Sequence, residues 1–306
     1  MKRNEKQNEG FFGSLIGERT SAKTAGLTYT VAALAMFAVS FFFLLLPTTE
    51  GQTPQWKLYL NFLAAPLAFL LVGIWYFSYT KTSFKEFVKE QKCRPKYYLI
   101  AVIMQVGLFS LSELNGLFLK FLESFGYKNL DIELPSMDGF GFVGVLFTVA
   151  VLPALMEEFV FRGIFLRETK DFSVAARVLL CGALFALYHQ NPAQTIYQFI
   201  CGAAFALIAV RSGSFLPTVL AHFINNAFIL TLEKLKISAF TPPVYAIILI
   251  ISGICLIAAS LWLTVFDKNK STAEKKKGAA GQFFLCGSMG ILLLLLSWIA
   301  GLFVGV

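Results

Sequence analysis

Charge is scarce in this chain. Of its 306 residues only 14% are Asp, Glu, Lys or Arg, against 57% hydrophobic, whereas a water-soluble domain carries roughly a quarter of its residues charged. That balance argues against a soluble enzyme, a nucleic-acid module and a secreted scaffold alike. Histidine is scarcer still, with His189 and His222 the only two. The five cysteines (Cys93, Cys181, Cys201, Cys255 and Cys286) are odd in number and form no CxxC pair. They read as small apolar core residues, not as a disulfide framework or a metal knuckle. No apolar run followed by a small-residue cleavage site lies within the first 26 residues, so the first hydrophobic helix is expected to direct insertion and to stay. No repeat or long linker divides the rest. Residues 1–26 are read as a cytoplasmic N-terminal segment and 27–306 as a single membrane domain.

Apolar residues in long runs are what the chain has in abundance. Crossing ~30 Å of hydrocarbon takes about 20 of them in a helix. Nine runs are candidate spans: Leu27 to Leu46, Leu58 to Tyr79, Tyr97 to Phe118, Val145 to Phe165, Val174 to His189, Thr195 to Val210, Ser214 to Leu232, Val244 to Phe266 and Phe283 to Val306. The expected fold is an all-α, polytopic transmembrane helix bundle of about nine spans with a cavity inside it. The fifth and sixth runs are short, and their small residues Gly182, Ala183, Gly202 and Ala203 predict close helix packing. The net charge of +8 is spread as short clusters between the runs, which marks topology, not nucleic-acid binding. The N-terminal segment and the even loops hold 20 of the 26 Lys and Arg residues, the odd loops hold five, and Arg162 lies inside a span. The positive-inside rule then puts the N-terminus and even loops in the cytoplasm and the C-terminus outside.

An ionisable side chain at membrane depth costs at least ~2.5 kcal/mol on insertion scales, so each one is a candidate functional group. They are Glu113, Glu157, Glu158, Arg162, His189 and His222, with Asn225 and Asn226 following the last. Glu113, near Asn115 and the outer end of its span, reads as an interfacial polar residue. Counting from the basic anchors Arg167, Arg177 and Arg211 puts Glu157, His189 and His222 ten, twelve and eleven residues in, all roughly 15 to 18 Å deep. Adjacent residues on a helix diverge by ~100°, so Glu157 and Glu158 are not expected to face one cavity together. Arg162 stands at i+4 from Glu158, the favoured ion-pair spacing, which leaves Glu157 as the free carboxylate. His222 and Asn226 are also i, i+4 and share a face, while Asn225 turns away. Two function classes use such residues: a hydrolase that activates water, and a transporter with an intramembrane Glu/His proton relay. A transporter is expected to show inverted repeats, and no second copy of the Glu157 helix is visible.

The string Glu157-Glu158-Phe-Val-Phe-Arg162, then Phe185-Ala-Leu-Tyr-His189, then His222-Phe-Ile-Asn-Asn226 resembles the EExxxR, FxxxH and HxxxN motifs of the type II CAAX prenyl endopeptidases and their bacterial relatives. That family, called CPBP or Abi, includes bacteriocin-processing proteins and domains like lysostaphin-resistance proteins. The resemblance covers a CAAX-protease-like core of about 145–232. It implies an intramembrane endopeptidase in which Glu157 and His189 hold and deprotonate the attacking water and His222 and Asn226 stabilise the oxyanion. The implied partners are membrane lipid and a membrane-associated peptide or protein substrate, prenylated or bacteriocin-related in class; nucleic acid is not among them. The short loops and the lack of an organelle signal point to a bacterial cell membrane. The family is often labelled metalloprotease. Metal-free glutamate chemistry is the favoured reading here, because a divalent metal such as zinc held by Glu157, His189 and His222 would leave only the paired Glu158 as a nearby base.

Overall fold

A computed structural model describes residues 19–47, 53–129, 132–269 and 275–304. Residues 1–18 of the expected N-terminal segment and the last two residues of the expected ninth span lie outside them. Among the described residues there is no strand, and each of the nine apolar runs forms a helix: α1 (Ser21–Leu44), α2 (Gln55–Thr80), α3 (Lys96–Ser124), α4 (Gly141–Glu168), α5 (Val174–Tyr188), α6 (Pro192–Ser212), α7 (Leu216–Lys234), α8 (Pro242–Phe266) and α9 (Ala279–Val304). A short helix, Phe84–Lys89, lies between α2 and α3.

Seven of the nine are long and apolar enough to cross a membrane; α5 and α7 are the two that are not. With 15 residues, α5 reaches only about 22 Å at 1.5 Å per residue. Helix α7 is 19 residues long but carries His222, Asn225, Asn226, Glu233 and Lys234. The chain is an integral membrane protein, and the two helices that fall short as spans are those that carry His189, the C-cap residue of α5, and His222. Helix α6 is longer than its apolar run, because Asn191 accepts from the Ala193 backbone N–H at 3.0 Å and starts a 3₁₀ turn ahead of Thr195.

Local sequence sets the helix ends. Thr20 and Ser173 cap α1 and α5 by accepting from backbone N–H groups three residues on, which satisfies donors that a helix start leaves open. Helix α6 ends at Gly213 with φ 72°, a left-handed position glycine adopts without penalty. Small residues then let helices approach. A Cβ on Gly182 would sit 2.7 Å from the Phe199 carbonyl oxygen of α6, and one on Gly26 would sit 2.4 Å from the Phe283 carbonyl oxygen of α9. The expected tight packing of α5 on α6 is therefore present. The core lies between α1, α2, α4, α5 and α9, with Tyr29, Phe69, Phe161, Phe165, Phe185 and Phe283 fully enclosed.

The basic loops gather at one end of this bundle. Arg19 reaches the Thr80 carbonyl, Arg167 pairs with Glu90, Lys96 pairs with Asp267, Arg211 reaches the Asn269 carbonyl and Lys276 pairs with Asp171. These contacts join the start of α1 to the loops that follow α2, α4, α6 and α8. At the other end Lys234 reaches Asp138 and Gln55 reaches Ser136.

Candidate active site

Helix α4 is not regular. Wide turns with i→i+5 hydrogen bonding at Leu146–Val151 and Phe159–Phe165 flank the α-helical turns that carry Glu157 and Glu158. Such turns occur often at functional sites because they re-aim side chains. Both glutamates are buried.

The structure brings Glu157, His189 and His222 together. The Oε2 atom of Glu157 lies 3.9 Å from His189 Nε2 and 4.0 Å from His222 Nε2, and it has no hydrogen-bond partner of its own. Glu158 faces the other way. Its Oε1 is 3.0 Å from Arg162 Nη1 and 3.0 Å from His222 Nδ1. The His222 ring thus lies between two adjacent carboxylates, with one nitrogen turned to each, and the ~100° divergence that separates the glutamates is what makes room for it. The expected Glu158–Arg162 pair is present. The hold of Glu158 on His222 could not be read from the chain.

The protonation of each ring follows from its partner. His189 Nδ1 is 2.8 Å from the Phe185 carbonyl oxygen, which only accepts, so Nδ1 carries the proton and the neutral ring keeps its lone pair on Nε2. His222 Nδ1 likewise donates to the Glu158 carboxylate. In the sequence Phe185 stands only as a motif letter. Its carbonyl fixes the His189 tautomer, its ring meets His189 edge-on at 4.6 Å, and the Arg162 guanidinium lies 4.2 Å over its face. Arg162 also donates to the Gly202 carbonyl at 3.1 Å.

Asn226 is placed differently from the three ionisable groups. Its amide nitrogen donates to the Val149 carbonyl at 3.2 Å, and its oxygen accepts from Asn225 at 3.1 Å. Asn225, turned away as expected, accepts from Gln105 and Tyr197. Neither of those is charged at neutral pH, so the rule that singles out ionisable groups in a span passes over both; a mid-span amide such as Gln105 was the signal available. Glu113 is exposed and accepts from the Tyr245 hydroxyl, away from the site.

Two imidazole lone pairs and a carboxylate are donors that zinc accepts. Their spacing does not suit it. Ligands held at ~2.0 to 2.1 Å in a tetrahedron stand roughly 3.3 Å apart, against 3.9 and 4.0 Å here, and among the described residues no three His, Cys, Asp or Glu side chains are grouped to hold a metal ion.

A buried carboxylate with a free oxygen, faced by two imidazoles inside a membrane bundle, defines the chain as a candidate intramembrane hydrolase. Comparison with known families narrows the class: the model for the Rce1-like type II CAAX prenyl endopeptidases matches residues 139–228. That segment runs from just before α4 to the second half of α7 and holds all three motifs, so the likeness is to a CAAX-type endopeptidase domain over this part of the chain. The match lends the transporter reading no support. No curated protein and no solved structure matches the chain.

Proposed function

We propose that this protein hydrolyses a peptide bond of a membrane-associated substrate, with Glu157 as general base and without a metal. The observation that carries the reading is the convergence of His189 Nε2 and His222 Nε2 on the unpartnered Oε2 of Glu157. A water held between Glu157 and the His189 lone pair gives its proton to Glu157 as its oxygen attacks the scissile carbonyl carbon. The carbonyl oxygen becomes an oxyanion, and the C–N bond then breaks as Glu157 returns the proton to the leaving amine.

Asn226 and His222 supply the oxyanion donors. Asn226 has a second N–H beyond the one given to Val149. His222 already gives its Nδ1 proton to Glu158, so it donates through Nε2 only as an imidazolium, and the Glu158 carboxylate is the counter-charge of that state. Glu158 therefore plays the part of the acid that orients the histidine in a hydrolase triad. The substrate class is a lipidated or membrane-inserted peptide, CAAX-type or bacteriocin-related. The gathering of the basic loops at one end supports a cytoplasmic N-terminus.

The test is cleavage of a library of lipidated and membrane-tethered peptides by the purified protein in proteoliposomes, read by mass spectrometry with and without chelator. Cleavage that survives chelation and disappears in Glu157→Gln supports the reading. Cleavage abolished by chelator and restored by zinc overturns the metal-free chemistry, and no cleavage of any peptide overturns the reaction. Reporter fusions at loop residues test the orientation.

A further inference from the structure

We propose that Gln105, Tyr197 and Asn225 are positioning residues that fix which way the Asn226 amide faces, and so hold its remaining N–H toward the reacting carbonyl. This rests on the oxyanion role proposed above for Asn226.

The two ends of an amide have nearly the same shape and opposite polarity, so a buried asparagine faces one way only if its neighbours demand it. Here the demand can be followed from one end. A backbone carbonyl only accepts, so the Asn226 atom 3.2 Å from the Val149 oxygen is the nitrogen. Asn226 Oδ1 then faces Asn225, which must present its own nitrogen, at 3.1 Å. Asn225 Oδ1 is thereby turned toward α3 and α6, where two donors meet it: the Tyr197 hydroxyl at 2.9 Å and Gln105 Nε2 at 2.9 Å. Every bond in the chain has a direction, and reversing any one amide sets oxygen against oxygen or nitrogen against nitrogen.

The chain spans four helices. Gln105 stands on α3, Tyr197 on α6, Asn225 and Asn226 on α7, and Val149 in the first wide turn of α4. Gln105 is fully buried, and its Oε1 has no partner. An uncompensated amide oxygen in an apolar bundle is costly, and apolar residues of like size would pack there without that cost. What Gln105 supplies is a second donor on Asn225 Oδ1. Gln105, Tyr197 and Asn225 also line a small cavity against His222, so the network adjoins the other oxyanion donor without bonding to it. None of the three residues lies in the EExxxR, FxxxH or HxxxN positions.

The experiment measures kcat and KM on the best-cleaved lipidated peptide for Asn225→Leu, Tyr197→Phe and Asn226→Ala, and for the first two combined with the third. Thermal unfolding in detergent is recorded for each. Asn225→Leu is expected to lower kcat by roughly tenfold, and Tyr197→Phe, which leaves the Gln105 bond in place, by roughly threefold, both with KM unchanged. In the Asn226→Ala background both effects should vanish, because an amide that is absent needs no orientation. Wild-type kcat in Tyr197→Phe, or losses that multiply with that of Asn226→Ala, overturns the proposal and leaves the protease reading intact. Full turnover in Asn226→Ala overturns the oxyanion role of Asn226 and this proposal with it. Tyr197→Phe deletes a single hydroxyl, so it decides the matter even if Asn225→Leu does not fold.

Discussion

Replacing Glu158 by Gln removes the carboxylate that Arg162 meets at 3.0 Å, with both side chains wholly shielded. An isolated guanidinium at this depth keeps its charge, and its remaining bond to the Gly202 carbonyl and its place over the Phe185 ring do not neutralise it. Removing one partner of a buried pair costs about 3 to 5 kcal/mol, which is a large part of the ~5 to 15 kcal/mol that holds a domain together. Glu158→Gln should therefore lower the folded yield extracted in detergent and the unfolding temperature. Adding Arg162→Met removes both charges and should restore most of the yield, since replacing a whole buried pair by apolar or neutral groups is often neutral. Turnover should not return. His222 would still face an amide in place of its counter-charge, and loss of the orienting carboxylate of a histidine costs at least ~100-fold. Yield by size-exclusion chromatography and turnover of a lipidated peptide, measured on wild type, single and double variants, separate the two roles. Normal yield for Glu158→Gln, or recovered turnover in the double variant, would refute the reasoning.

Glu157→Gln should cost on the order of 1,000-fold in turnover at unchanged yield, because the amide keeps the shape but takes no proton; turnover near wild type alongside a dead, well-folded Glu158→Gln would reverse the two carboxylates. Gly182→Val should destabilise by about 1 to 3 kcal/mol, the usual cost of overpacking, since its Cβ would meet the Phe199 carbonyl at 2.7 Å and the Ala203 nitrogen at 2.9 Å; an unchanged unfolding temperature would show that α5 and α6 can part there. Asp267, just past α8, accepts from Tyr97 at 2.8 Å and from Lys96 at 3.3 Å. Burial pushes its carboxyl up, but these donors and the Lys96 charge outweigh burial and hold it below the usual carboxylate range. Its contribution is then fully present above the ordinary unfolded value near ~3.9 and lost as the pH falls through the lower folded value, so the difference in unfolding temperature between wild type and Asp267→Asn should be constant from pH 7 to 5 and shrink below pH 4.

The helices were legible because apolar runs and basic clusters are properties of the chain itself. The level of Glu157, His189 and His222 was legible for the same reason: a helix converts residue count into depth, and counting ten, twelve and eleven residues from three arginines needs no tertiary knowledge. The i, i+4 rule likewise gave Glu158 to Arg162. What could not be read depends on which helices are neighbours. The Phe185 ring beneath Arg162, the Gly202 carbonyl at its far side and the Gln105 amide beside Asn225 join segments 23 to 120 residues apart. The wide turns of α4 went unread too, although Pro153, which has no N–H to give the Val149 carbonyl, stands just after the first of them. The rule of one facing glutamate was sound as geometry but incomplete, since it imagined a cavity and not a ring standing in it.

In the proposed reaction that ring gives each of the two adjacent glutamates its own part. Carboxylates at i and i+4 share a face, and their charges would then be coupled. Placed side by side they diverge, and their surroundings differ accordingly. Glu158 is fully shielded and already accepts from a guanidinium and an imidazole on the same oxygen, so a proton arriving there would have to displace charge-assisted bonds. Glu157 keeps a small exposure, with 12% of its side chain accessible, and its Oε2 is committed to nothing. In the proposed reaction the uncommitted Oε2 of Glu157 is the oxygen placed to take a proton from water, and Glu158 is the carboxylate placed beside His222 Nδ1. The imidazole, with nitrogens on two sides of one flat ring, touches both environments at once, which lets the fixed charge of one glutamate set the donor state of the group that faces the other.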